Sequence, residues 1–169
     1  MISGKGVKTD PKKIEAMVNW PKPTTLKALR GFLGLTGYYR RFVKGYGVMS
    51  RLLTELLKKG NFRWSEEAEE AFQRLKEAMS AVPTLGLPDF SEPFTLETDA
   101  CGVGVGAVLV QKGRPLAFLS QALGPRHLGL SIYEKEFLAV LLAVEKWRHY
   151  LEGGRFVIKM DHESLKFLL

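Results

Sequence analysis

The order of segments from Phe94 onward constrains the fold more than any other feature of this sequence. Three β-type runs, an amphipathic run and a further β-type run follow one another: FTLETDA, VGAVLV, LAFLSQAL, YEKEFLAVLLAVEKWRHYL and RFVIKM. Short glycine-containing turns separate the first three runs, which predicts an antiparallel meander. Ser131 is placed to cap the amphipathic helix, and another helix is predicted to begin at residues 162–169, which lie outside the residues that the structure describes. The order βββαβα favours an α/β or α+β fold over a repeat architecture.

The predicted helix at 133–151 has a broad apolar face. Its members recur at helical spacing and are expected to pack on the sheet: Tyr133, Phe137, Val140, Leu141, Val144 and Trp147. The segment between the third strand and this helix, GPRHLGLS, is predicted to be a loop.

The first half of the chain is predicted to be helical. Thr9 or Asp10 is placed to cap a short helix, with Pro11 at its first position. Thr24 or Thr25 is placed to cap a second helix. Its glycines Gly31, Gly34 and Gly37 indicate either close approach of another backbone or a break near Thr36-Gly37. Residues 2–8 are expected to be the tail of a strand whose partners lie upstream.

The remainder of the helical half ends in a well-marked helix. A short apolar helix is predicted from Val48 to Leu57, and Ser65 is a strong N-cap for the next one. In that last helix Ala68, Phe72, Leu75 and Met79 repeat on one face. A segment rich in proline follows, so we expect a helical unit at 1–82, a linker at 83–91 and a sheet-containing unit at 92–169.

Charge is distributed unevenly between the two halves. The net charge is +7, with 13 Lys/Arg against 3 Asp/Glu in residues 1–60 and 12 against 15 in residues 61–169. This pattern indicates a polyanion-binding part beside a part that concentrates carboxylates, although a solvated helical surface has the same composition. The sequence has no long apolar run and one cysteine, Cys101, so we expect an intracellular protein without disulfides or a membrane partner.

Three acidic residues can meet if this fold forms. Asp99 ends the first β-type run, Glu136 lies in the amphipathic helix, and Asp161 ends the last β-type run. Such a carboxylate cluster can hold Mg²⁺, which prefers oxygen ligands. Each of the three also has an ordinary structural interpretation. Asp99 can form a turn at the end of a strand, Glu136 can be a solvated helix residue, and Asp161 can cap the predicted helix that follows it.

Two further motifs bear on function. The basic and aromatic run from Tyr38 to Lys44 contains Arg40 and Arg41 and can grip a phosphate backbone, together with Arg30 on the same predicted helix. Alternatively, the aromatic residues of this run are core and the cations are merely solvated. The glycines of GVGVG lack dinucleotide-binding spacing and are followed by a β-type run, which excludes a nucleotide-binding turn.

Several long blocks together resemble one family: GFLGLTGYYRRFVKGY, FRWSEEAEEAFQRLKEAM, FTLETDACGVGVGAVLVQKGRPLAFLSQAL, YEKEFLAVLLAVEKWRHYL and MDHESLKFLL. They are similar to the C-terminal part of the reverse transcriptase of gypsy-class LTR retrotransposons, especially plant elements. The resemblance covers essentially the whole chain. It implies the end of the palm and a helical thumb or connection over 1–82, followed by the first two thirds of a ribonuclease H domain.

The resemblance implies a chemistry. In that family three acids hold two Mg²⁺ ions, for which Mn²⁺ can substitute, and they correspond to Asp99, Glu136 and Asp161. The choice of Glu136 over Glu134 follows the pattern of Glu136-Phe137-Leu138-Ala139 and is left open by the residues themselves. Two metals of this kind activate water at a phosphodiester, so the implied reaction is hydrolysis of the RNA strand of an RNA–DNA hybrid.

The resemblance also implies parts that this sequence lacks. The family has a fourth acid beyond the position of Leu169, and its polymerase site lies upstream. The implied partners are therefore an RNA–DNA hybrid or primer–template, an upstream polymerase domain and the remainder of the ribonuclease H domain. A non-catalytic nucleic-acid-binding connection and an inactive fragment are the alternatives to an enzyme. The implied location is a cytoplasmic virus-like particle.

Overall fold

A computed structural model describes residues 2–3 and 6–160. The strands β1 (Ile2–Ser3) and β2 (Gly6–Val7) precede four helices and a short 3₁₀ turn: α1 (Pro11–Val18), α2 (Leu26–Tyr38), the turn Arg40–Phe42, α3 (Tyr46–Glu55) and α4 (Glu66–Ser80). The second half contains β3 (Phe94–Cys101), β4 (Gly104–Gln111), β5 (Arg114–Ala122), α5 (Pro125–Leu128), α6 (Ile132–Lys146), α7 (Arg148–Leu151) and β6 (Phe156–Lys159).

The helix starts follow the predicted caps. The side chain of Asp10 accepts from the backbone N–H of Lys12, and that of Thr25 accepts from Ala28. Ser65 caps α4 in the same way, and the predicted face of α4 is buried. These caps satisfy backbone donors that the first turn of a helix leaves unpaired.

The α-helix ends at Tyr38, next to the break predicted near Thr36-Gly37, and the 3₁₀ turn Arg40–Phe42 follows it. The Thr36 hydroxyl donates to the carbonyl of Phe32 at 3.0 Å and also contacts the Tyr46 hydroxyl at 3.0 Å. Burial raises the pKa of the Tyr46 phenol. This buried polar pair ties α2 to α3.

The N-terminal strands have partners within the chain. Ile2 pairs with Val7 in an antiparallel β1–β2 ladder, and Val7 also bridges Leu85. The hydrogen bonds of Val7 go to Leu85 at 2.8 and 3.0 Å, and the further partners expected upstream stay a prediction.

The predicted meander is confirmed, and a fourth strand joins it to form the mixed sheet of the described residues. The strand order is β5-β4-β3-β6, in which β6 runs parallel to β3 and the other pairs are antiparallel. The fold class is α/β, as predicted. The predicted loop after β5 contains the short helix α5, which starts at Pro125.

The face of α6 that packs on the sheet is only partly the predicted one, since Val144 and Trp147 of the predicted set pack in the core. Glu136, Ala139 and Ala143 are buried against the sheet, whereas Phe137 and Leu141 are 62% and 51% exposed. Small side chains let the helix approach β3 and β4 closely, so size rather than hydrophobicity decided the orientation. Trp147, from the predicted set, is buried beyond the end of the helix.

Two hydrophobic cores lie on either side of the segment 81–93. One joins the helices around Phe32 and Phe72, whose ring centroids are 4.6 Å apart. The other lies between the sheet and α6 and consists of two clusters, around Leu96 and around Val105. The intervening segment is anchored, because the buried Gln111 side chain bonds to both the N–H and the carbonyl of Asp89 at 2.8 Å. The domain limits at 82 and 92 stay a prediction.

The two halves are packed together through α3 and β5. The backbone N–H of Gly47 donates to the Ser120 hydroxyl at 3.0 Å. A methyl group at Gly47 would lie 2.6 Å from the Ser120 carbonyl oxygen, and one at Gly104 would lie 2.3 Å from Val48. Both glycines therefore serve a close approach between α3 and the sheet.

Two glycine-to-alanine changes in helices test this packing. We expect Gly47→Ala to destabilise the chain by about 1–3 kcal/mol, because its methyl group meets the backbone of β5. Gly34→Ala meets no atom within 4 Å and should stabilise the chain by about 1 kcal/mol through helix propensity. Urea unfolding followed by circular dichroism measures both. Equal stabilisation by the two changes would contradict the packing of α3 on β5.

Candidate functional site

Asp99 lies on the face of the sheet opposite α6. Side chains alternate along β3, so Phe94, Leu96 and Thr98 face the helix and are buried, whereas Asp99 is exposed. Its face looks toward the start of α3, where a small cavity of about 200 Å³ is lined by Lys44, Val48 and Asp99 among others. The parallel pairing of β3 with β6 is described as far as Glu97 and Lys159, and Asp99 lies two residues beyond it.

Glu136 lies on the other side of the sheet, on the buried face of α6, where it is 6% exposed. Glu134 has a different role. Its carboxylate accepts from the backbone N–H of Ser131 at 2.7 Å and from the Ser131 hydroxyl at 2.8 Å, which completes a capping box. These bonds hold the pKa of Glu134 below its usual value. Of the two glutamates, Glu136 is thus the one directed at the sheet.

The oxygen donors of the predicted centre are of the kind that Mg²⁺ prefers. However, within residues 2–3 and 6–160 no three His, Cys, Asp or Glu side chains form a group that could hold a metal ion. Asp99 and Glu136 start from opposite faces of the sheet, and Asp161 is outside the described residues. The described part of the chain therefore supplies candidate ligands without forming a complete site, and the assignment of the three acids stays a prediction.

Sequence reasoning missed Lys135. Its side chain is buried, and its ammonium donates to the carbonyl of Gly102 at 3.1 Å and to that of Leu128 at 2.9 Å. It thereby holds the β3–β4 turn and α5 against the start of α6. The residue between two glutamates in EKE looks like a solvated lysine, so nothing local in the sequence indicates this role.

The outward face of α2 forms a basic surface. Lys27, Arg30, Gly34 and Tyr38 are all exposed, and Tyr38 is 77% exposed. No Asp or Glu occurs between Glu15 and Glu55, a stretch that holds seven Lys or Arg residues. Gly34 has open space where a side chain would be, so a ligand can reach the helix backbone there.

The other predicted nucleic-acid-binding residues lie just beyond α2. Arg40 and Arg41 are exposed in the 3₁₀ turn, with the Arg41 guanidinium 5.2 Å from the Phe42 ring, and Lys44 is exposed before α3. Phe42 itself is buried and Tyr39 packs against the core, so those two aromatic residues are structural. The cations and Tyr38 remain available to a ligand.

The described residues contain no helix that is both long and apolar enough to cross a membrane.

Comparison with known proteins gives consistent matches. A family model described as "RNase H-like domain found in reverse transcriptase" matches residues 64–158. The Retrovirus-related Pol polyprotein from transposon 297 of Drosophila melanogaster is 42% identical over 170 residues, which covers 99% of this chain and 16% of that polyprotein. An uncharacterized mitochondrial protein of Arabidopsis thaliana is 60% identical over 94 residues, covering 56% of this chain and 60% of that protein.

Among solved structures, a foamy viral protease-reverse transcriptase in complex with RNA/DNA hybrid superposes with a TM-score of 0.84 at 20% identity. The superposition covers 99% of this chain and 24% of that chain. At this identity the likeness concerns the fold, and it confirms the predicted fold class. The chain spans less than a fifth of the transposon polyprotein that it matches.

The role of Lys135 can be tested by removing its charge. We expect Lys135→Met to destabilise the chain by about 1–3 kcal/mol, because the Gly102 and Leu128 carbonyls lose their donor. Lys146→Met, at an exposed position later on the same helix, should change stability by less than about 0.5 kcal/mol. Chemical unfolding measures both variants, and equal effects would argue against a positioning role for Lys135.

Proposed function

Because the chain belongs to the family of RNase H-like domains found in reverse transcriptases, we propose that it binds an RNA–DNA hybrid or primer–template duplex along the outward face of α2. The matches to transposon Pol polyproteins confirm the resemblance to a retrotransposon reverse transcriptase. The foamy viral structure with RNA/DNA hybrid supports the choice of ligand for a chain of the same fold.

The observation that carries this proposal is the exposed row Arg30, Gly34 and Tyr38 in a stretch without acids. Arginine contacts phosphates without selecting a sequence. A glycine in the middle of the row lets a duplex backbone approach the helix, and the tyrosine adds an amphipathic ring at its end. If the outward face of α2 served only solubility, a glycine with open space around it would not be needed between these residues.

The resemblance supports a setting for this binding surface within a longer protein. We assign 1–82 to the end of the palm and the thumb or connection, with a polymerase domain upstream and the remainder of the ribonuclease H domain downstream. The proposed setting is a cytoplasmic virus-like particle, in which this part holds the duplex between the two enzymatic activities.

Reversing a charge on α2 tests the binding surface. We expect Arg30→Glu to weaken binding of a blunt RNA–DNA hybrid about five- to tenfold, because it replaces a phosphate contact with a repulsive charge. The logarithm of the binding constant decreases with the logarithm of the salt concentration, and this decrease should become less steep by about 0.9 because one phosphate contact is lost. Fluorescence anisotropy with an end-labelled hybrid measures both quantities.

Lys59→Glu is the matched control, since it makes the same charge change at an exposed residue of the helical half that follows α3 and is not part of α2. We expect it to change the affinity less than about twofold. If Arg30→Glu and Lys59→Glu weakened binding equally, the helical half would attract the duplex by net charge alone and the proposed surface would be wrong.

Hydrolysis of the RNA strand is a second candidate, for the longer polyprotein. Glu136 is directed at the sheet, and the register pairs Glu97 with Lys159, each two residues before a predicted catalytic acid, Asp99 and Asp161. Mg²⁺ bound by such acids supplies an activated water and stabilises the leaving oxygen. Asp99, Glu136 and Asp161 would hold it together with a further acid outside this chain.

For the 169-residue chain we expect binding of hybrid without cutting. The measurement is incubation of end-labelled hybrid in Mg²⁺ or Mn²⁺ with the chain and with its Asp99→Asn variant, resolved on a denaturing gel. Unchanged RNA in both reactions, with binding retained in both, agrees with a holding role. RNA cleavage that disappears in Asp99→Asn would instead establish that the three acids suffice for catalysis.

A further inference from the structure

A deep groove lies between the helical half and the edge of the sheet. Its volume is about 960 Å³. One wall is formed by Tyr38, Arg40 and Arg41, and the other by the junction of α6 and α7, which contributes Lys146 and His149. Its floor is residues 116–121 of β5, an edge strand of the described sheet. We call this cavity the β5 groove.

The charge of the β5 groove is positive. Arg40, Arg41 and Lys146 line it against a single carboxylate, that of Glu145, and the imidazole of His149 lines it as well. The ion pairs found among the described residues do not involve Arg40, Arg41 or Lys146. These three cations come from both halves of the chain and face one cavity, which favours an anionic ligand that extends between the walls.

Aromatic rings stand at the groove. Tyr38 is 77% exposed on one wall. On the other side Tyr150 lines the groove, lies 4.3 Å from the ring of His149 and stacks on the 68% exposed Phe90. Cationic grooves with exposed aromatic rings are the means by which proteins hold single-stranded nucleic acid, because every base has a face that can stack. An acidic peptide would not need these rings.

The size of the cavity suits a short length of single strand. A volume near 960 Å³ is in the range that encloses a drug-sized molecule, so a few nucleotides fit inside it. The edge of β5 also offers backbone hydrogen-bonding groups to a ligand in the groove. A duplex on α2 and a single strand in the groove are therefore compatible, since Tyr38 ends the first surface and begins the second.

We propose that the β5 groove binds a single-stranded extension of the duplex, with its phosphates between Arg40 and Arg41 on one side and Lys146 and His149 on the other. The idea rests on the proposed duplex binding for its context. The single-strand site itself is distinct, because its second wall belongs to α6 and α7 rather than to α2.

The test compares two probes on the 169-residue chain: a blunt RNA–DNA hybrid and the same hybrid with a single-stranded overhang of about six nucleotides. We expect the overhang to raise affinity about tenfold, the effect of a stacked base or two. In the double variant Lys146→Glu/His149→Gln this advantage should fall below about twofold, while binding of the blunt hybrid is retained. The affinity gained from the overhang should also depend less steeply on salt in this variant, by about 0.7 in the slope of log affinity against log salt concentration for each lost phosphate contact.

The matched control is Arg126→Glu/His127→Gln. It makes the same change of charge at exposed residues of α5, which do not line the groove. It should keep the overhang advantage. Loss of the advantage in both double variants, or no advantage in the unmodified chain, would overturn the proposal. Displacement of the overhang by a polyglutamate peptide at lower concentration than by a free single strand would assign the groove to an acidic protein and overturn it as well.

Failure of the duplex proposal has a different signature. In that case the blunt hybrid would not bind, or Arg30→Glu would have no effect, while a free labelled single strand could still bind and respond to Lys146→Glu/His149→Gln. Circular dichroism and thermal unfolding of each variant separate a lost contact from a lost fold.

Discussion

The packing of α3 on β5 determines where most of the candidate functional residues lie. The contact depends on two positions without side chains, Gly47 against the backbone of Ser120 and Gly104 against Val48. The 3₁₀ turn with Arg40 and Arg41 directly precedes α3, so its distance from the sheet follows from this packing. Side chains at these two positions would push α3 away from the sheet, and the distance between the cations of the turn and the α6–α7 junction would change with it.

Much of the fold was predictable from local sequence patterns, namely helix caps and β-type runs separated by turns. Asp10, Thr25 and Ser65 cap helices where expected, since each satisfies backbone donors of its own first turn. The meander followed from β-type runs separated by short turns. The orientation of α6 was not predictable in this way, because the apolar Phe137 and Leu141 compete with the small Ala139 and Ala143 for the sheet. Only the close packing of the helix on β3 and β4 decides that competition.

The same holds for the candidate site: its acidic residues could be chosen from the sequence, but their positions relative to the sheet depend on tertiary packing. The sequence predicted Asp99 and Glu136 as candidate metal ligands and left Glu134 as an alternative. The structure separates the two glutamates, because Glu134 forms a capping box with Ser131. The placement of Asp99 and Glu136 on different sides of β3 depends on which face of the strand α6 covers. A shift of β3 by one residue would bring Asp99 to the helix side, but it would also expose Leu96, which is fully buried.

Charge then limits how a polyanion can cross from one half of the chain to the other. The helical half attracts phosphates over α2, whereas residues 61–169 hold 15 acids against 12 Lys/Arg and repel them on average. A nucleic acid that extends beyond Tyr38 therefore meets the sheet half most favourably where cations line a cavity, at Lys146 and His149. No short motif marks those two residues, because their partners Arg40 and Arg41 lie about a hundred residues earlier in the sequence. The folded chain brings the four side chains to one groove, and the same α3–β5 packing that stabilises the two halves thus sets the path open to a bound strand.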